Sequence, residues 1–349
     1  MTIKGARHGL EGSRAPVGTS TSPIAAAIRR LAAAGPSGVL AGVLLLAFAL
    51  TLSTRSFASV DNLRVVALGT AVTIVVGLAQ MVVVAAGGMN LAIGATGGIV
   101  SVVCGGLMNS FGVPPILAVM TALAVGALSG ALIGAIIVRG RFSPFIVTLA
   151  AGSIITGIAL GITQSVPYYH LPEGFQGFGE ASLFGVPVIF LVALLLALLL
   201  GAVFRYASFG RQILAFGANP RAAELSGIPL GRLQISVYTL SGFLAAWASV
   251  LLIARLGDAD PAVGKDWLLV SFAAPIIGGT RLAGGQVSVL GNVLGALLLG
   301  ILANGLVHWN VDVFFVQLIS GAIILAAGGM ERLRQMNSDA AQRRERRQS

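Results

Sequence analysis

Long uncharged apolar runs recur along most of this 349-residue chain. A run of 18 or more apolar residues is long enough to cross a hydrocarbon core of about 30 Å as a helix. A membrane barrel would instead show short segments of alternating polarity. The runs therefore predict an all-α, polytopic membrane protein. Its ten predicted transmembrane segments cover residues 38–54, 65–86, 91–108, 115–138, 144–162, 187–204, 233–254, 267–279, 288–307 and 313–330.

The third and eighth segments are weak as spanning helices. The eighth, 267–279, reaches only about 20 Å at 1.5 Å per residue. Partial or broken helices are tolerated in a membrane where protein or water covers their free backbone groups. We therefore expect short or broken helices at these two places.

The basic residues favour one orientation. With the N-terminus inside, eighteen of the 22 Lys and Arg residues fall on inner segments and four on outer ones. Positive charge concentrates on cytoplasmic loops, so both termini are predicted to be cytoplasmic. The formal net charge of +10 is thereby explained without a nucleic-acid partner. The predicted divisions are a tail at 1–37, a transmembrane domain at 38–330 with a long cytoplasmic loop at 205–232, and a basic tail at 331–349.

A glycine-rich stretch, "AAGGMNLAIGATGG", begins where the second segment ends. Glycine permits a tight turn there, and the Asn90 amide offers a donor and an acceptor without charge. One interpretation is a path for a neutral polar solute; the other is a helix break whose amide satisfies freed backbone groups. The candidate pathway residues are Gly87, Gly88, Met89, Asn90, Gln80 and Asn304.

Glycines at every fourth residue predict close packing between helices. The spacing occurs in the fourth, fifth and ninth segments. The residues are Gly126, Gly130, Gly134, Gly157, Gly161, Gly291 and Gly295.

Catalytic motifs are missing from the sequence. It has no GxxxxGK[ST], HExxH, CxxC or GxSxG pattern, and its one cysteine, Cys104, lies inside an apolar run. The sequence therefore predicts no enzyme activity and no metal site.

The loop 205–232 contains "NPRAAELSGI", which predicts a short helix opened by Pro220 and closed by Gly227. Such a helix either rests on the membrane surface or docks a soluble partner. The candidate coupling residues are Asn219, Pro220, Arg221, Ala222, Ala223, Glu224, Leu225 and Gly227.

Several ordered motifs resemble those of a known family. "GANPRAAELSGIPLGRLQISVYTLSGFLAAWASVLLIARL", followed by "IIGGTRLAGGQVSVLGNVLGALLLGIL", resembles the membrane permeases of bacterial ABC importers for ribose and related sugars. "GGMNLAIG" is similar to the Gly-Gly-Ile-Asp-Leu-Ser-Val-Gly stretch of these permeases, with Asn90 and Ala92 in place of Asp and Ser. The resemblance covers about 60–330, and the wider family includes permeases for branched-chain amino acids and nucleosides.

The resemblance implies a permease subunit in the bacterial inner membrane that imports a neutral polar solute such as ribose. It implies three protein partners: a cytoplasmic ATPase that docks on the coupling residues, a periplasmic solute-binding protein, and a second permease subunit, identical or related. Mg-ATP would bind the ATPase, with no cofactor in this chain. The alternatives are a nucleoside or amino acid permease, a secondary transporter or channel, and a membrane enzyme.

The orientation is testable with single cysteines at Ser182 and Ser338 in a Cys104→Ala background. An impermeant thiol reagent added to intact cells is expected to label position 182 and to spare position 338, because the first is predicted outside and the second inside. Labelling at 338 with protection at 182 would reverse the predicted topology.

Overall fold

The computed structural model describes residues 36–54 and 56–309, with the isolated positions 311, 318, 321 and 322. The tenth predicted segment, the tail 331–349 and nearly all of the tail 1–37 lie outside these residues. Helices dominate the described part. In chain order the elements are α1 Pro36–Ser53, α2 Val60–Ala85, α3 Ile93–Asn109, α4 Pro115–Gly140, α5 Pro144–Thr163, α6 Glu173–Glu180, β1 Ser182–Leu183, β2 Val186–Pro187, α7 Val188–Tyr206, α8 Ser208–Ala218, α9 Pro220–Leu225, α10 Leu230–Leu256, α11 Trp267–Ile277 and α12 Val289–His308.

The predicted all-α, polytopic class is confirmed. Seven of the described helices are long and apolar enough to cross a membrane: α1, α2, α4, α5, α7, α10 and α12. The third and eighth segments are the shorter helices α3 and α11, as expected. Pro275 lies inside the 11-residue α11. Predicted and observed ends differ by five residues or fewer, because helices continue past the apolar run into charged end turns such as the one holding Arg64.

Helices α2 and α10 form the centre of the fold. The most apolar part of each is 72% buried, against 17–44% for the other five long helices. Helix α10 packs most extensively on α4, α2 and α3, while α2 also contacts α7, α11 and α12. The side chains of Ile74, Leu78 and Met81 on α2 are fully buried. Lipid-facing surface is therefore left to the outer helices.

Glycines allow α4 and α10 to approach at backbone distance. A Cβ atom on Gly126 would lie 2.7 Å from the carbonyl oxygen of Gly242, and one on Gly134 would lie 2.9 Å from the Cα of Ile235. A Cβ on Gly130 would meet the carbonyl oxygen of Tyr238. The predicted glycine face of α4 thus lies directly against α10.

The other two glycine pairs differ from each other. Cβ atoms on Gly291 and Gly295 would meet the carbonyl oxygens of Gly278 and Ala274, so this pair lies against the end of α11. Cβ atoms on Gly157 and Gly161 would meet no described atom within 4 Å. That face of α5 is open along the part of the chain that the structure describes.

The segment 257–266, an outer loop by sequence, folds back along α3 towards the membrane interior. A Cβ on Gly105 would meet the side chain of Ala259, one on Gly98 would lie 2.7 Å from the carbonyl oxygen of Pro261, and one on Gly94 would meet the backbone of Gly264. The glycine face of α3 therefore accommodates a non-helical segment. Protein covers this backbone, as irregular structure within a membrane requires.

The loop 163–186 contains α6 and β1, which pairs with β2. Helix α6 packs on the end of α10, where a Cβ on Gly179 would meet the carbonyl oxygen of Ala254. The Arg64 guanidinium donates to the carbonyl oxygen of Glu180 at 2.6 Å, so the loop is also attached to α2.

The α4–α10 contact predicts different effects for two glycine substitutions. Gly130→Ala inserts a methyl group against the carbonyl of Tyr238 and is expected to destabilise the fold by about 1–3 kcal/mol, as in overpacked cores. Gly157→Ala inserts the same methyl group into open space and is expected to be neutral or slightly stabilising, since alanine favours helix. Thermal unfolding in detergent measures both, and equal melting temperatures would contradict the predicted contact.

Candidate functional site

The glycine-rich stretch ends helix α2 in a hydrogen-bonded turn. The backbone amides of Ala86 and Gly88 donate to the carbonyl oxygen of Val83 at 3.1 and 3.0 Å, and that of Gly87 donates to Val84 at 2.9 Å. Gly87 has a φ of +76°, the left-handed conformation that commonly ends helices. Chain direction therefore changes between α2 and α3 with the last carbonyls of α2 satisfied.

Asn90 uses both ends of its amide inside the protein. The side chain is 1% exposed. Its Nδ2 donates to Ser241 Oγ on α10 at 3.1 Å, and its Oδ1 accepts the backbone N–H of Ala92 at 3.0 Å. The amide thus holds the turn into α3 and attaches it to α10.

Two α10 residues that the sequence prediction missed support this stretch. The Tyr238 hydroxyl donates to the carbonyl oxygen of Met89 at 3.0 Å, and Ser241 is the partner of Asn90. They lie three residues apart on one helix face, which is the pattern that would have revealed them. The Met89 side chain is 39% exposed, and it is the one member of the stretch with substantial side-chain surface.

Gln80 is completely buried in α2, five residues before its end. Among the described residues, neither of its amide atoms has a hydrogen-bond partner. Asn292 on α12 is a related case: its Nδ2 donates to the carbonyl oxygen of Ile74 at 3.1 Å, while its Oδ1 is unpaired within the same residues. Each such group costs about 1–3 kcal/mol when buried, so both amides are poised for a partner.

Asn304 lies at the opposite end of α2 from the glycine stretch. Its amide exchanges two hydrogen bonds with Asn62, at 2.8 and 3.0 Å, and Asn62 also donates to the carbonyl oxygen of Phe57 at 2.9 Å. The ring of Phe57 meets His308 edge-on at 6.2 Å. Eighteen residues of α2, about 27 Å, separate Asn62 from Gln80. The structure therefore does not bring Asn304 to the other candidate pathway residues.

Three glycine-containing segments meet at the C-terminal end of α2. The Gly285 N–H donates to the carbonyl oxygen of Ala85 at 2.9 Å. A Cβ on Gly217 would meet that same carbonyl oxygen, and one on Gly284 would lie 2.8 Å from Gly87. We call these contacts among residues 85–87, 217–218 and 283–285 the glycine junction. It joins the candidate pathway to the end of α8, directly before the candidate coupling residues.

The helix predicted in the long loop is α9. The Asn219 side chain accepts the N–H of Ala222 at 3.1 Å, Pro220 occupies the first turn, and Gly227 ends the motif with a φ of +79°. The N–H of Ile228 returns to Ala223 at 3.2 Å. Both ends of a six-residue helix are thereby capped, which compensates for its short length.

The side chains of α9 divide between the protein and solvent. Ala223 is 3% exposed and packs inside the chain, and its place among the candidate coupling residues stays a prediction. Leu225 is 91% exposed, and Arg221, Ala222 and Glu224 are exposed too. Helix α9 thus presents one exposed apolar side chain, that of Leu225, beside two charged ones.

A groove of about 320 Å³ lies between α4, α8 and α10, lined by Ala127, Phe209, Ser236, Thr239, Leu240 and Phe243. The hydroxyls of Ser236 and Thr239 donate to carbonyls of their own helix at 3.0 and 2.9 Å. Its walls are otherwise apolar. This groove therefore offers a polar solute little to bind.

Within the described ranges, no group of three His, Cys, Asp or Glu side chains is placed to hold a metal ion. The chemistry available at the site is hydrogen bonding by amides, hydroxyls and free backbone groups.

Comparisons of the sequence with known proteins identify a family and several relatives. A family described as the permease component of the branched-chain amino acid transport system matches residues 62–328. The ribose import permease protein of Bacillus subtilis is 32% identical over 297 residues, covering 84% of this chain and 92% of the relative. The D-allose transport system permease protein of Escherichia coli is 32% identical (81% and 87% covered), and the fructose import permease protein of Rhizobium meliloti is 33% identical (81% of each). No solved structure matches.

The seven apolar helices together with the permease family match define a multi-pass permease of the inner membrane. The chain belongs to the family of branched-chain amino acid transport system permease components, in which ribose, allose and fructose permeases are also found.

Substitutions at Asn90 are expected to separate its two hydrogen bonds. Asn90→Leu leaves the Ala92 N–H and the Ser241 hydroxyl without partners and is expected to lower the free energy of unfolding by about 1–3 kcal/mol. Asn90→Asp keeps an acceptor for both groups and is expected to cost less. Ser241→Ala is the matched control, since it removes one bond and leaves the other. Thermal unfolding in detergent ranks the three, and a Leu variant as stable as the Asp variant would contradict this role.

Proposed function

We propose that this chain is the transmembrane subunit of an ABC importer that carries a neutral sugar, such as ribose or a related monosaccharide, into the cytoplasm. The carrying observation is the family match across 62–328 together with relatives named for ribose, allose and fructose. A secondary transporter or channel is not favoured by these relatives. The uncharged amides around the helix break suit a neutral solute.

The proposed complex has three kinds of component. Two copies of this chain, or this chain and a close relative, enclose the path. A separate cytoplasmic subunit binds and hydrolyses Mg-ATP, and a periplasmic binding protein delivers the solute. This subunit contributes no covalent chemistry; it alternates between an outward-facing and an inward-facing state.

The glycine junction supplies a physical route between ATPase and path. Movement of a docked α9 displaces α8, and Gly217 at the end of α8 touches the backbone of Ala85. Because these are contacts between backbones, with no flexible side chain between them, a shift of α8 acts directly on the turn that precedes Asn90. The step of the ATPase cycle sets the direction in which α9 and α8 move.

Gln80 and Asn90 are proposed as pathway residues with different roles. Asn90 fixes the break through Ser241 and Ala92. Gln80 carries an unsatisfied amide among the described residues, and a change of state or a solute hydroxyl would satisfy it. Asn304 remains a predicted pathway residue, although its amide is engaged by Asn62.

Leu225 tests the docking of the ATPase. Leu225→Gln replaces the apolar contact by a solvated amide and is expected to weaken ATPase binding at least about tenfold, the effect of losing about 1.4 kcal/mol. Leu225→Met keeps an apolar side chain of similar volume and is expected to bind normally. Co-purification of the ATPase and solute-stimulated ATP hydrolysis measure the effect.

The pair of variants also separates docking from folding. The Leu225 side chain is exposed, so both variants are expected to insert and to melt like the parent chain. Wild-type ATPase binding and hydrolysis in the Gln variant would remove Leu225 from the docking surface. Failure of the unmodified chain to retain any ATPase would contradict the proposed function itself.

A further inference from the structure

The inward end of the segment 257–266 lies near the middle of the transmembrane region. Ser249 on α10 donates its hydroxyl to the carbonyl oxygen of Gly97 at 2.7 Å, and Gly94, which packs on Gly264, lies three residues inward on α3. Ser249 lies seven residues before Leu256, the last residue of α10. At 1.5 Å per helical residue, Gly264 is therefore about 15 Å inward of the outer end of α10.

The contact between α2 and α11 gives a second estimate of how deep this segment lies, measured from the inner side. A Cβ on Gly77 of α2 would lie 3.2 Å from the Cβ of Ala274 on α11, and Gly77 precedes Ala85, the inner end of α2, by eight residues. Ala274 is therefore about 12 Å outward of that end, and Trp267, where α11 begins, is at most about 10 Å further out. Together these distances reach at most about 22 Å from the inner end of α2, so in a core of about 30 Å the residues just before Trp267 lie at least about 8 Å below the outer surface.

Lys265 and Asp266 occupy this level. Both side chains are exposed on the surface of the chain, and neither has a hydrogen-bond or ion-pair partner in the part that the structure describes. Charged side chains facing hydrocarbon at such depth are strongly unfavourable, and they occur where they meet water or protein. A four-carbon lysine stem is too short to reach the membrane surface from there. The surface around this pair is therefore not covered by lipid.

We propose that Lys265 and Asp266 line the water-filled solute path at the middle of the membrane, between two copies of this chain. The inference rests on the proposed function, in which two subunits enclose the path. The ammonium group donates hydrogen bonds and the carboxylate accepts them, so the pair complements the hydroxyl groups of a neutral, polyhydroxylated solute without adding net charge. The neighbouring Pro261, Val263 and Gly264 are buried, which fixes the segment beside α3.

Cysteine accessibility tests this placement. In the Cys104→Ala background, Lys265→Cys, Asp266→Cys and Ala262→Cys each put a thiol on the exposed side of the segment, and Ala262→Cys keeps both charges. The assembled complex is treated with a permanently charged methanethiosulfonate, in right-side-out and in inverted vesicles. The reagent needs water and a thiolate, so reaction at these positions from at least one side is the expected result.

The matched control is Ile154→Cys on α5. Ile154 is 63% exposed. A Cβ on the nearby Gly152 would lie 3.6 Å from the Cα of Ala92, which places this part of α5 close to the level of Gly94. A thiol that faces lipid stays protonated and is expected to react at least about tenfold more slowly than those of the segment. Ser182→Cys on the outer loop provides the fast reference.

The outcomes are separable from those for the proposed function. Reaction at 262, 265 and 266 well above that at 154 supports a water-lined path. Rates at all three as low as at 154, from both sides, would overturn it, whether lipid or a dry subunit contact covers them. ATPase co-purification and stimulated hydrolysis, measured on the same Ala262→Cys complex, report on the importer independently of the labelling.

Discussion

The fold depends on covering the polypeptide backbone wherever it leaves a helix inside the membrane. A backbone N–H or C=O group left in hydrocarbon costs several kcal/mol, and this chain leaves helical structure at two places where other parts of the protein cover the backbone, after α2 and along 257–266. Helix α10 covers the first break with Tyr238 and Ser241, which bind the residues around Asn90. The glycine face of α3 receives the second, along 257–266. The burial of α2 and α10 follows from this arrangement, because central helices are the ones able to supply such partners.

Two kinds of close contact share this work. Where α4 meets α10, glycines bring two regular helices together and no hydrogen bond crosses between them. Where α2 ends, glycines bring three turns together, and the Gly285 N–H to Ala85 carbonyl bond joins them. The first contact depends on shape alone, whereas the second also satisfies a carbonyl that a helix end leaves free. Glycine spacing in the sequence indicates contacts between two regular helices, but it does not indicate contacts among segments at helix ends.

Much of the fold was predictable because the length of an apolar run can be determined from the local sequence alone. The nine described predicted segments, including the short third and eighth, were found from runs of apolar residues alone. The α9 helix was also local, since Asn219, Pro220 and Gly227 carry its caps. The partners of Asn90 were not predictable, since Ser241 lies 151 residues away and only tertiary packing brings it near. The burial of Ala223 was not predictable for the same reason, because the packing of neighbouring elements decides which side of a short helix faces inward.

The proposed position of Lys265 below the membrane surface differs from the position that loop counting predicts, and the sequence contains a clue to this difference. Counting loops places this residue outside, because it falls between two apolar segments. The following segment is too short to cross, however, so the residues before it had to lie below the membrane surface. The short helix α11 and the charged residues directly before it need to be interpreted together. Interpreted separately, they do not indicate a charged pair below the membrane surface.

Helix α2 is fastened at both ends by groups that lie far apart in the chain. At its outer end the reciprocal amide pair of Asn62 and Asn304 joins it to α12. At its inner end the glycine junction joins it to α8 and to the turn before α12. Because α2 is bonded to other elements at both ends, it cannot shift along its axis without moving those elements too. Helices α2 and α12 are thus expected to tilt together as one rigid unit, so that a movement at one face of the membrane is transmitted to the other face.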